Sequence, residues 1–558
     1  MLDCTGEDRP PLTAFHDHHR LVAVLRPKNS RDAVVIMELL EGAIWRNPVP
    51  YVERYVNAAL RTVHLDWLAV PSVVLPAAVS PTAESTALTR ARENAVVELL
   101  RVSPLADDLA QRFVDAGHRL YLVGGSVRDA LLGRLETKAS DLDFTTDATP
   151  DVVQRLLGDW ADRQWDTGIA FGTVGATKRG QTVEITTFRA DSYDRQTRNP
   201  EVVFGSTVEG DLLRRDFTVN AMAVELPVHR FVDPHDGLAA LAKRMLDTPA
   251  APEDSFADDP LRMLRAARFV SQLGFDVAPR VRVAMTEMAE QITRITAERV
   301  QAELSKLILG AHPRAGLELL VDTGLAEYVL PEVPAMRLAT DEHMQHKDVF
   351  EHSLVVMEQA IDRETDGPDL VLRLAALLHD IGKPKTRRLE DDGRVSFHHH
   401  EVVGAKMTRT RLRALRYSKV IVDEVSRLVY LHLRFHGYGT GEWTDSAVRR
   451  YVTDAGPLLD RLHKLVRSDC TTRNRRRATA LQRSYDSLED RIATLREQEE
   501  LDAIRPDLDG NEIMRLLDLK PGPLVGKAYK HLLAVRMEKG PLTHEQAEAE
   551  LRAWYSSL

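Results

Sequence analysis

The spacing of apolar residues along this chain changes from a strand pattern to a helical pattern near residue 236. Before that point, short apolar runs such as "RLYLV" (119–123) and "DLDFTT" (141–146) predict buried strands. The segment "GTVGATKRGQTVEITTFR" (172–189) predicts a hairpin that turns near Arg179-Gly180. We therefore expect a small sheet in this part of the chain.

Beyond residue 236, apolar side chains recur every three or four positions almost to the C-terminus, as in "DPLRMLRAARFVSQLGF" (259–275) and "ERVQAELSKLILGA" (298–311). The expected fold class is therefore α+β, with a small head of strands and helices followed by a long, mostly α-helical body. A stretch rich in proline, alanine, serine and threonine (71–86) predicts a linker, and no chemical motif precedes it.

Composition is that of a globular protein of several domains, with 558 residues, 44% of them hydrophobic and 28% charged. No apolar run approaches the length that spans a bilayer, and the N-terminus lacks the form of a signal peptide. The two cysteines, Cys4 and Cys470, imply no disulfide framework. We expect a cytoplasmic protein.

The formal net charge of −10 argues mildly against a nucleic-acid partner. Binding depends on local patches, however, and residues 471–483 and 530–540 are strongly basic. Each basic segment is explained equally well by a solvated helix face, so charge alone does not decide the partner.

Two carboxylates, Asp141 and Asp143, stand two positions apart on a predicted strand and so project to the same side. They cannot both ionise cheaply without a cation between them. Mg²⁺ prefers such oxygen ligands and also retains water and substrate phosphates. Two such ions can clamp the attacking and leaving oxygens of a phosphoryl transfer. Taken alone, the pair is also explained by an exposed acidic strand.

The segment before this pair, "LVGGSVRDALLGR" (122–134), predicts a strand, a double glycine and the start of a helix. Glycines allow the backbone to approach a phosphate, and a helix N-terminus offers free N–H groups. Arg128 lies in the first turn of that helix, where it suits a triphosphate. The segment has neither a P-loop nor a dinucleotide-binding signature.

These motifs, followed by "DLLRRDFTVNAMA" (211–223) and "DDPLRMLRAARF" (258–269), resemble those of class II tRNA nucleotidyltransferases. These are the bacterial and eukaryotic CCA-adding enzymes of the DNA polymerase β superfamily, with the related poly(A) polymerases. The motifs occur in the family order over roughly 119 to 310, and the arrangement of the chain from about 95 onward most resembles the actinobacterial enzymes. The resemblance implies addition of the 3′-terminal CCA of tRNA from CTP and ATP, without a nucleic-acid template.

The resemblance also implies roles for individual residues. Asp141 and Asp143 would hold catalytic Mg²⁺, and Glu184 could face them as a third carboxylate. Contacts to the incoming nucleotide are implied for Gly124, Gly125, Arg128, Arg215, Asp216, Asn220, Asp259, Arg262 and Arg265.

Base selection is implied for Asp259 and Arg262, since the family motif Glu-Asp-x-x-Arg reads the base with its Asp and Arg. A carboxylate accepts from the exocyclic amine of cytosine or adenine, whereas guanine and uracil present a carbonyl at that place. Asp258 replaces the usual glutamate. The segment also predicts a helix capped by Asp259, and the arginines at 262, 265 and 268 form one basic stripe that a solvated face would explain.

A second constellation, in "DVFEHSL" (348–354), "LLHDIGKPKT" (377–386) and "RSDCTTR" (467–473), resembles the HD phosphohydrolase superfamily. Mixed imidazole and carboxylate ligands suit a divalent metal. The implied metal ligands are His352, His379, Asp380 and Asp469, with His400 and His432 as further candidates. The implied activity is hydrolysis at phosphate ends.

The expected domains are an N-terminal extension and linker of unknown role (1–95), a nucleotidyltransferase head (96–235), a helical nucleotide-selecting and RNA-binding neck (236–335), an HD domain (336–470) and a helical tail (471–558). Poly(A) polymerase shares every head motif and stays open as an alternative. A second alternative is an HD phosphohydrolase whose head only binds RNA, which the intact Asp141 and Asp143 disfavour.

Overall fold

A computed structural model describes most of the chain and divides it into two compact units, Met1–Arg90 and Ala91–Leu558. In the first unit it describes a three-stranded antiparallel sheet of β1 (Ala14–Asp17), β2 (Arg20–Leu25) and β3 (Val35–Leu40). In the second unit it describes residues 104–134, 141–166, 168–189, 204–337, 348–391, 393, 395–435, 443–470, 475–499 and 504–558. The predicted linker at 71–86 and the first four residues of the basic segment 471–483 lie outside the described residues.

The head of the second unit is built on a seven-stranded sheet in the order β10-β9-β4-β5-β8-β7-β6. Its strands are β4 (Leu120–Val123), β5 (Leu142–Thr146), β6 (Arg163–Trp165), β7 (Thr173–Lys178), β8 (Gln181–Thr187), β9 (Ala223–Leu226) and β10 (Arg230–Val232). Neighbouring strands are antiparallel except β5 and β8, which run parallel. The predicted hairpin is confirmed as β7–β8, whose turn places Arg179 and Gly180 at positive φ.

Both faces of strand β4 are covered. Leu120 and Leu122 belong to the large core that continues into the helical body, whereas Tyr121 and Val123 belong to a smaller core on the opposite face. A strand buried on both faces reads as a continuous apolar run, as the segment 119–123 does.

The helices of the head and neck are α1 (Pro104–Asp115), α2 (Gly125–Leu131), α3 (Pro150–Leu157), α4 (Val208–Leu213), α5 (Gly237–Ala242), α6 (Pro252–Asp258), α7 (Leu261–Leu273), α8 (Pro279–Glu287), α9 (Ala297–Ile308), α10 (Pro313–Asp322) and α11 (Ala326–Val329). Two-residue strands β11 (Met245–Leu246) and β12 (Asp276–Val277) pair in parallel beside them.

The remaining helices are α12 (Val349–Ile361), α13 (Leu370–Leu378), α14 (Lys383–Thr386), α15 (His400–Ala414), α16 (Lys419–Leu431), α17 (Asp445–Ala455), α18 (Leu459–Ser468), α19 (Arg475–Gln498), α20 (Gly510–Leu517), α21 (Pro523–Lys539) and α22 (His544–Ser556). A two-stranded ribbon, β13 (Arg388–Leu389) and β14 (Val395–Ser396), precedes α15. The last three helices enclose a separate small core. The α+β head and the mostly helical body are as predicted. In the described part of the chain no helix is long and apolar enough to cross a membrane.

Helix α7 carries the predicted apolar face, since Leu261, Leu264 and Ala267 are buried. It begins one residue later than predicted, and Asp259 accepts the backbone N–H of Leu261 at 3.1 Å. The interpretation of its arginines as a solvated stripe is wrong, because Arg268 is 7% exposed and is paired with Glu303. Arg268 therefore lies on the inner side of the neck, whereas Arg262 and Arg265 are half-buried.

Candidate active site in the head and candidate metal centre in the helical body

The turn between strand β4 and helix α2 brings the backbone close to the acidic pair. Gly124 has φ +71°, and a Cβ added there would lie 2.8 Å from Arg215 Nη1 and 3.8 Å from Asp143 Oδ2. Only glycine adopts this conformation without strain while leaving that space open. Gly124 therefore lies against both Asp143 and Arg215.

Ser126, in the first turn of α2, ties this turn to strand β5. Its hydroxyl donates to the carbonyl of Asp141 at 3.3 Å and accepts the N–H of Asp143 at 3.2 Å. The serine thus fixes the backbone on either side of Leu142, and with it the direction of both carboxylates. The sequence analysis did not single out Ser126, whose small polar side chain is common at helix starts.

Asp143 is partly buried and pairs in the parallel register with Glu184 of strand β8. Burial, with the nearby charges of Glu184 and Asp141, raises the pKa of Asp143 to about 6, although Arg215 and Arg128 oppose the rise. The pKa is raised because a carboxylate there has lost water and stands near two others. A bound divalent cation would relieve that cost, and the oxygen donors suit Mg²⁺.

Arg215 lies over Gly124, beside Asp143, and is held by a residue that the sequence analysis did not select. Asp211 is fully buried and accepts from Arg215 Nη2 at 3.3 Å and from Arg214 Nη2 at 2.9 Å. Burial opposes ionisation of Asp211, but Arg215 and Arg214 outweigh it and lower its pKa. The Arg215 Nε is buried without a hydrogen-bond partner among the described residues.

A chain of hydrogen bonds links helix α2 to helix α7. Arg128 donates from Nη1 to Asn220 Oδ1 at 2.6 Å, and Asn220 donates to Asp216 Oδ1 at 2.9 Å. Arg265 completes the chain with two bonds to Asp216 Oδ2, at 2.9 and 2.5 Å. The structure therefore brings four of the predicted nucleotide-binding residues together.

Arginine side chains also surround the ring of Phe269, which lies next to these hydrogen-bonded residues. The guanidinium carbon of Arg268 lies 4.1 Å from the ring centroid and that of Arg128 lies 5.0 Å from it. Burial lowers the pKa of Arg268 to about 10, with Arg265 adding to the effect and Glu303 opposing it. Asp216 is likewise buried, yet Arg265 and Asn220 outweigh that burial and keep its pKa below the ordinary value.

The predicted base-reading residues Asp259 and Arg262 are not paired with each other. Asp259 accepts from Arg299 Nη2 at 2.8 Å. Arg262 donates to the hydroxyl of Ser255 at 2.9 Å and to the carbonyl of Arg214 at 2.6 Å. Each side chain is therefore held in place by a neighbour that reasoning from the sequence did not find.

The second constellation is a compact cluster between helices of the body. His352 Nε2 lies 3.0 Å from Asp469 Oδ1, and His379 Nε2 lies 3.2 Å from Asp380 Oδ2. His400 Nε2 lies 3.2 Å from the other oxygen of Asp380. All four residues of the predicted metal motif thus meet, and they meet His400 as well.

Two groups of three residues in this cluster have ligand atoms within 4.8 Å of one another. One group is His352, His379 and Asp469, and the other is Asp380, His400 and His432. In the part of the chain that the structure describes, these are the only groups of three that meet this distance.

Backbone carbonyls orient three of the imidazoles. The Nδ1 atoms of His379, His400 and His432 lie 2.8, 2.8 and 2.7 Å from the carbonyl oxygens of residues 376, 397 and 429. A carbonyl accepts only from N–H, which places a proton on Nδ1 of each ring and turns Nε2 inward. The Nε2 atoms of His400 and His432 are buried and face Asp380 Oδ1 at 3.2 and 3.9 Å, an arrangement that fits a metal ligand.

The pKa values of two histidines in this cluster are strongly shifted. Burial opposes protonation of His379, but Asp380 and Asp469 outweigh it and raise its pKa to about 10. Burial lowers the pKa of His432 to about 3. Metal ligands must lose their protons, so a divalent cation would displace the proton held at His379.

Family models match three parts of the chain. The "Poly A polymerase head domain" matches residues 120–247, the "Probable RNA and SrmB- binding site of polymerase A" matches residues 274–336, and the "HD domain" matches residues 349–494.

Curated relatives fall into two kinds. The A-adding tRNA nucleotidyltransferase of Deinococcus radiodurans is 33% identical over 447 residues, which is 78% of this chain and 95% of the relative. The CCA-adding enzyme of Levilactobacillus brevis is 42% identical over 225 residues, which is 40% of this chain and 55% of the relative. The chain thus spans about half the length of the CCA-adding relatives it matches. The likeness to actinobacterial enzymes stays a prediction.

Among solved structures, the Bacillus stearothermophilus CCA-adding enzyme in complex with CTP has a TM-score of 0.60 and 24% identity, over 82% of this chain and 98% of that one. The Thermotoga maritima CCA-adding enzyme complexed with tRNA has a TM-score of 0.53 and 16% identity, over 83% and 98%. At such identities the likeness shows the fold, and the fold agrees with the one predicted.

Proposed function

This chain belongs to the tRNA nucleotidyltransferase family, and we propose that it adds the 3′-terminal CCA to tRNA from CTP and ATP, without a nucleic-acid template. In each addition the terminal 3′-oxygen of the tRNA forms a bond to the α-phosphorus. The bond from that phosphorus to the bridging oxygen breaks, and pyrophosphate leaves with the electron pair.

The observation that carries this proposal is the position of Asp143 between Glu184 on one side and Arg215 on the other, over the Gly124 turn. The carboxylates that would bind a cation and the arginine that would bind a phosphate are therefore neighbours. Phosphoryl transfer needs little more than such positioning and charge stabilisation. We therefore propose that Asp141 and Asp143 are catalytic.

We propose Mg²⁺ as the ion of the head, with Asp141, Asp143 and Glu184 as its ligands. When bound there, it supplies charge stabilisation to the triphosphate and to the attacking oxygen. Arg215 would contact the triphosphate from the opposite side, and the backbone N–H groups after Gly124 and Gly125 would contact it from below. Arg128 is proposed to contact it too, although its guanidinium already bonds Asp129 and Asn220.

Base selection is proposed for Asp259 and Arg262. Arg262 presents a fixed guanidinium because Ser255 and the carbonyl of Arg214 hold it. Asp259 is fixed by Arg299 and would accept the exocyclic amine of cytosine or adenine. Asp216, Asn220 and Arg265 would support this edge of the pocket through their hydrogen-bond chain.

For the whole protein we propose the domain boundaries given above and a cytoplasmic location. The tRNA 3′ end would enter at the head while its acceptor stem lies along the helical body. Phosphate contacts there would make binding depend on salt. For the cluster of the HD domain, we propose a pair of divalent metal ions and hydrolysis at phosphate ends.

A second candidate function is addition of the terminal A alone. It is favoured by one observation, the alignment with the A-adding enzyme over 95% of its length. Poly(A) addition uses the same chemistry and differs only in where it stops.

The test supplies tRNA transcripts that lack the last one, two or three nucleotides, each with CTP alone, ATP alone or both. Addition of two C and one A followed by arrest supports CCA addition. Addition of A only to the transcript that ends in CC assigns the A-adding function. Long A tails on arbitrary RNA assign poly(A) addition. A His379→Ala chain is the matched control and should add nucleotides as the wild type does.

A further inference from the structure

The cavity between helices α15 and α16 lies outside both sites described so far. It has a volume of about 530 Å³ and is lined by Lys406, Arg409, Arg413, Ser426, Arg427 and Tyr430. Small-ligand pockets range from about 300 to 1,000 Å³, so the space suits a molecule the size of a nucleotide.

Four cationic side chains line this space, and only two of them are paired with a carboxylate of the described residues. Arg409 is paired with Asp423 at 3.3 Å, and Arg427 is paired with Asp454 at 3.3 Å. Lys406 and Arg413 have no ion pair among the described residues. Two uncompensated cations on one helix face, seven residues apart, leave a local positive field that attracts an anion.

A second observation, independent of charge, comes from Ser426. Its side chain is 1% exposed and lines the cavity, and its hydroxyl has no hydrogen-bond partner within the described part of the chain. A serine inside a helix ordinarily bonds the carbonyl four residues earlier or reaches water. A buried hydroxyl left unpaired costs free energy, and a ligand oxygen would remove that cost.

The remaining lining is apolar. Val402 is 48% exposed at the rim, Ala405 is buried on the wall, and Tyr430 presents its ring between Arg427 and Arg434. An apolar wall beside a cluster of cations and a hydroxyl matches a molecule with one apolar part and one phosphorylated part.

We propose that this cavity binds a nucleoside phosphate, with its phosphates at Lys406, Arg413 and Ser426 and its base against Val402 and Ala405. The site is separate from the nucleotide site of the head. It lies between the two helices that supply His400 and His432, since α15 begins at His400 and α16 ends one residue before His432. A nucleotide there would contact the elements that hold two of the proposed metal ligands.

The test measures how many ADP molecules bind the full-length chain in EDTA, by equilibrium dialysis. Two ADP per chain are expected for the wild type. Arg413→Glu should remove one of them, with an affinity loss of about tenfold or more. Arg262→Ala should remove the other, so failure of the head site and failure of this site are distinguished. Ser426→Ala, which alters no charge, should weaken the same site as Arg413→Glu.

The matched control is Arg515→Glu, which reverses an exposed cation of helix α20, outside the cavity. It should leave both ADP sites unchanged. The proposal is overturned if Arg413→Glu and Ser426→Ala bind as much ADP as the wild type. It is also overturned if Arg413→Glu lowers only the affinity for tRNA, since the cavity would then be a contact for the tRNA backbone. Competition by inorganic pyrophosphate for the site that Arg413→Glu removes supports recognition through the phosphates.

Discussion

Arg299 holds the carboxylate of Asp259, since its Nη2 donates to that carboxylate at 2.8 Å. Arg299 lies in the first turn of helix α9. The two residues are forty positions apart. The direction of the proposed base-reading carboxylate is thus set by a residue outside the motif that contains it.

Arg299→Ala is expected to weaken discrimination between nucleotides more than it weakens catalysis. Without the bond from Arg299, Asp259 keeps only the backbone N–H of Leu261 and turns more freely. The preference for CTP and ATP over UTP and GTP should fall by about ten- to a hundredfold, the effect of losing one charged hydrogen bond. Single-turnover incorporation of each nucleotide measures it, with Arg299→Lys as a partial rescue and Arg282→Ala as the control. Unchanged discrimination would show that Arg299 does not orient Asp259.

Gly124→Ala is expected to abolish most nucleotide addition. The new Cβ would lie 2.8 Å from Arg215 Nη1 and would displace that guanidinium from Asp143. A shift of about 1 Å at a reacting centre costs about a hundredfold in rate. Gly133→Ala is the matched control, since Gly133 also has positive φ but an added Cβ meets nothing within 4 Å.

Both glycine variants place alanine at positive φ and should lose stability, about 1 kcal/mol for Gly133→Ala and more for Gly124→Ala, whose ψ of −134° lies outside the αL region. Thermal unfolding therefore separates the shared strain from the local clash. If Gly133→Ala lowered the addition rate as much as Gly124→Ala did, backbone strain rather than the clash would explain both.

Asp216→Asn is expected to lower the free energy of unfolding by about 3 kcal/mol, because it leaves the inward-facing Arg265 without its main carboxylate partner. Urea unfolding at pH 7 measures this. Asp159→Asn, which breaks an exposed pair with Arg112, should change stability little. A loss no larger than that of the control would contradict the importance of the buried pair.

The contribution of Asp216 also depends on pH. Its pKa in the folded protein lies below that of the unfolded chain, so its stabilisation is complete above about pH 4 and is lost as the pH falls through the folded value. The difference in unfolding free energy between wild type and Asp216→Asn should therefore shrink on acidification. A difference that grows below pH 4 would contradict the assigned direction.

His432→Ala is expected to lower the metal content of the HD cluster without affecting nucleotide addition. The variant removes one of three ligands from the group with Asp380 and His400. After loading with Mn²⁺ and gel filtration, the wild type should retain two ions per chain at this cluster and the variant about one. His398→Ala is the control, since His398 is exposed. Equal metal content in His432→Ala and wild type would exclude His432 as a ligand.

Local motifs were predictable and distant partners were not. Asp141, Asp143 and the double glycine lie within one strand–turn–helix–strand segment, so the sequence placed them near one another, and the resemblance of several motifs then implied their role. Arg299 acts on a residue forty positions away, and Asp211 holds Arg214 and Arg215 of its own motif without standing out from the other acidic residues. An acidic residue near a helix start and an arginine on an amphipathic helix are both ordinary in isolation.

The histidines of the HD cluster show the same limit. Among the three consecutive histidines at 398–400, the first two are 76% and 83% exposed at their side chains, and only His400 turns inward. The difference arises because helix α15 begins at His400, after His399 at positive φ. Helix starts are the least certain part of any sequence-based prediction. The sequence therefore favoured His400 as a ligand but did not establish which of the three histidines faces the cluster.

The most direct measurement of the central claim is single-turnover addition by Asp143→Asn on two substrates, tRNA without its CCA given CTP and tRNA ending in CC given ATP. If one head site performs every step, both additions should fall by about a thousandfold or more, the value of metal stabilisation at the transferred phosphate. The His379→Ala chain, assayed beside it, should add both nucleotides at the wild-type rate. Retention of either addition by Asp143→Asn, or loss of both by His379→Ala, would contradict the account.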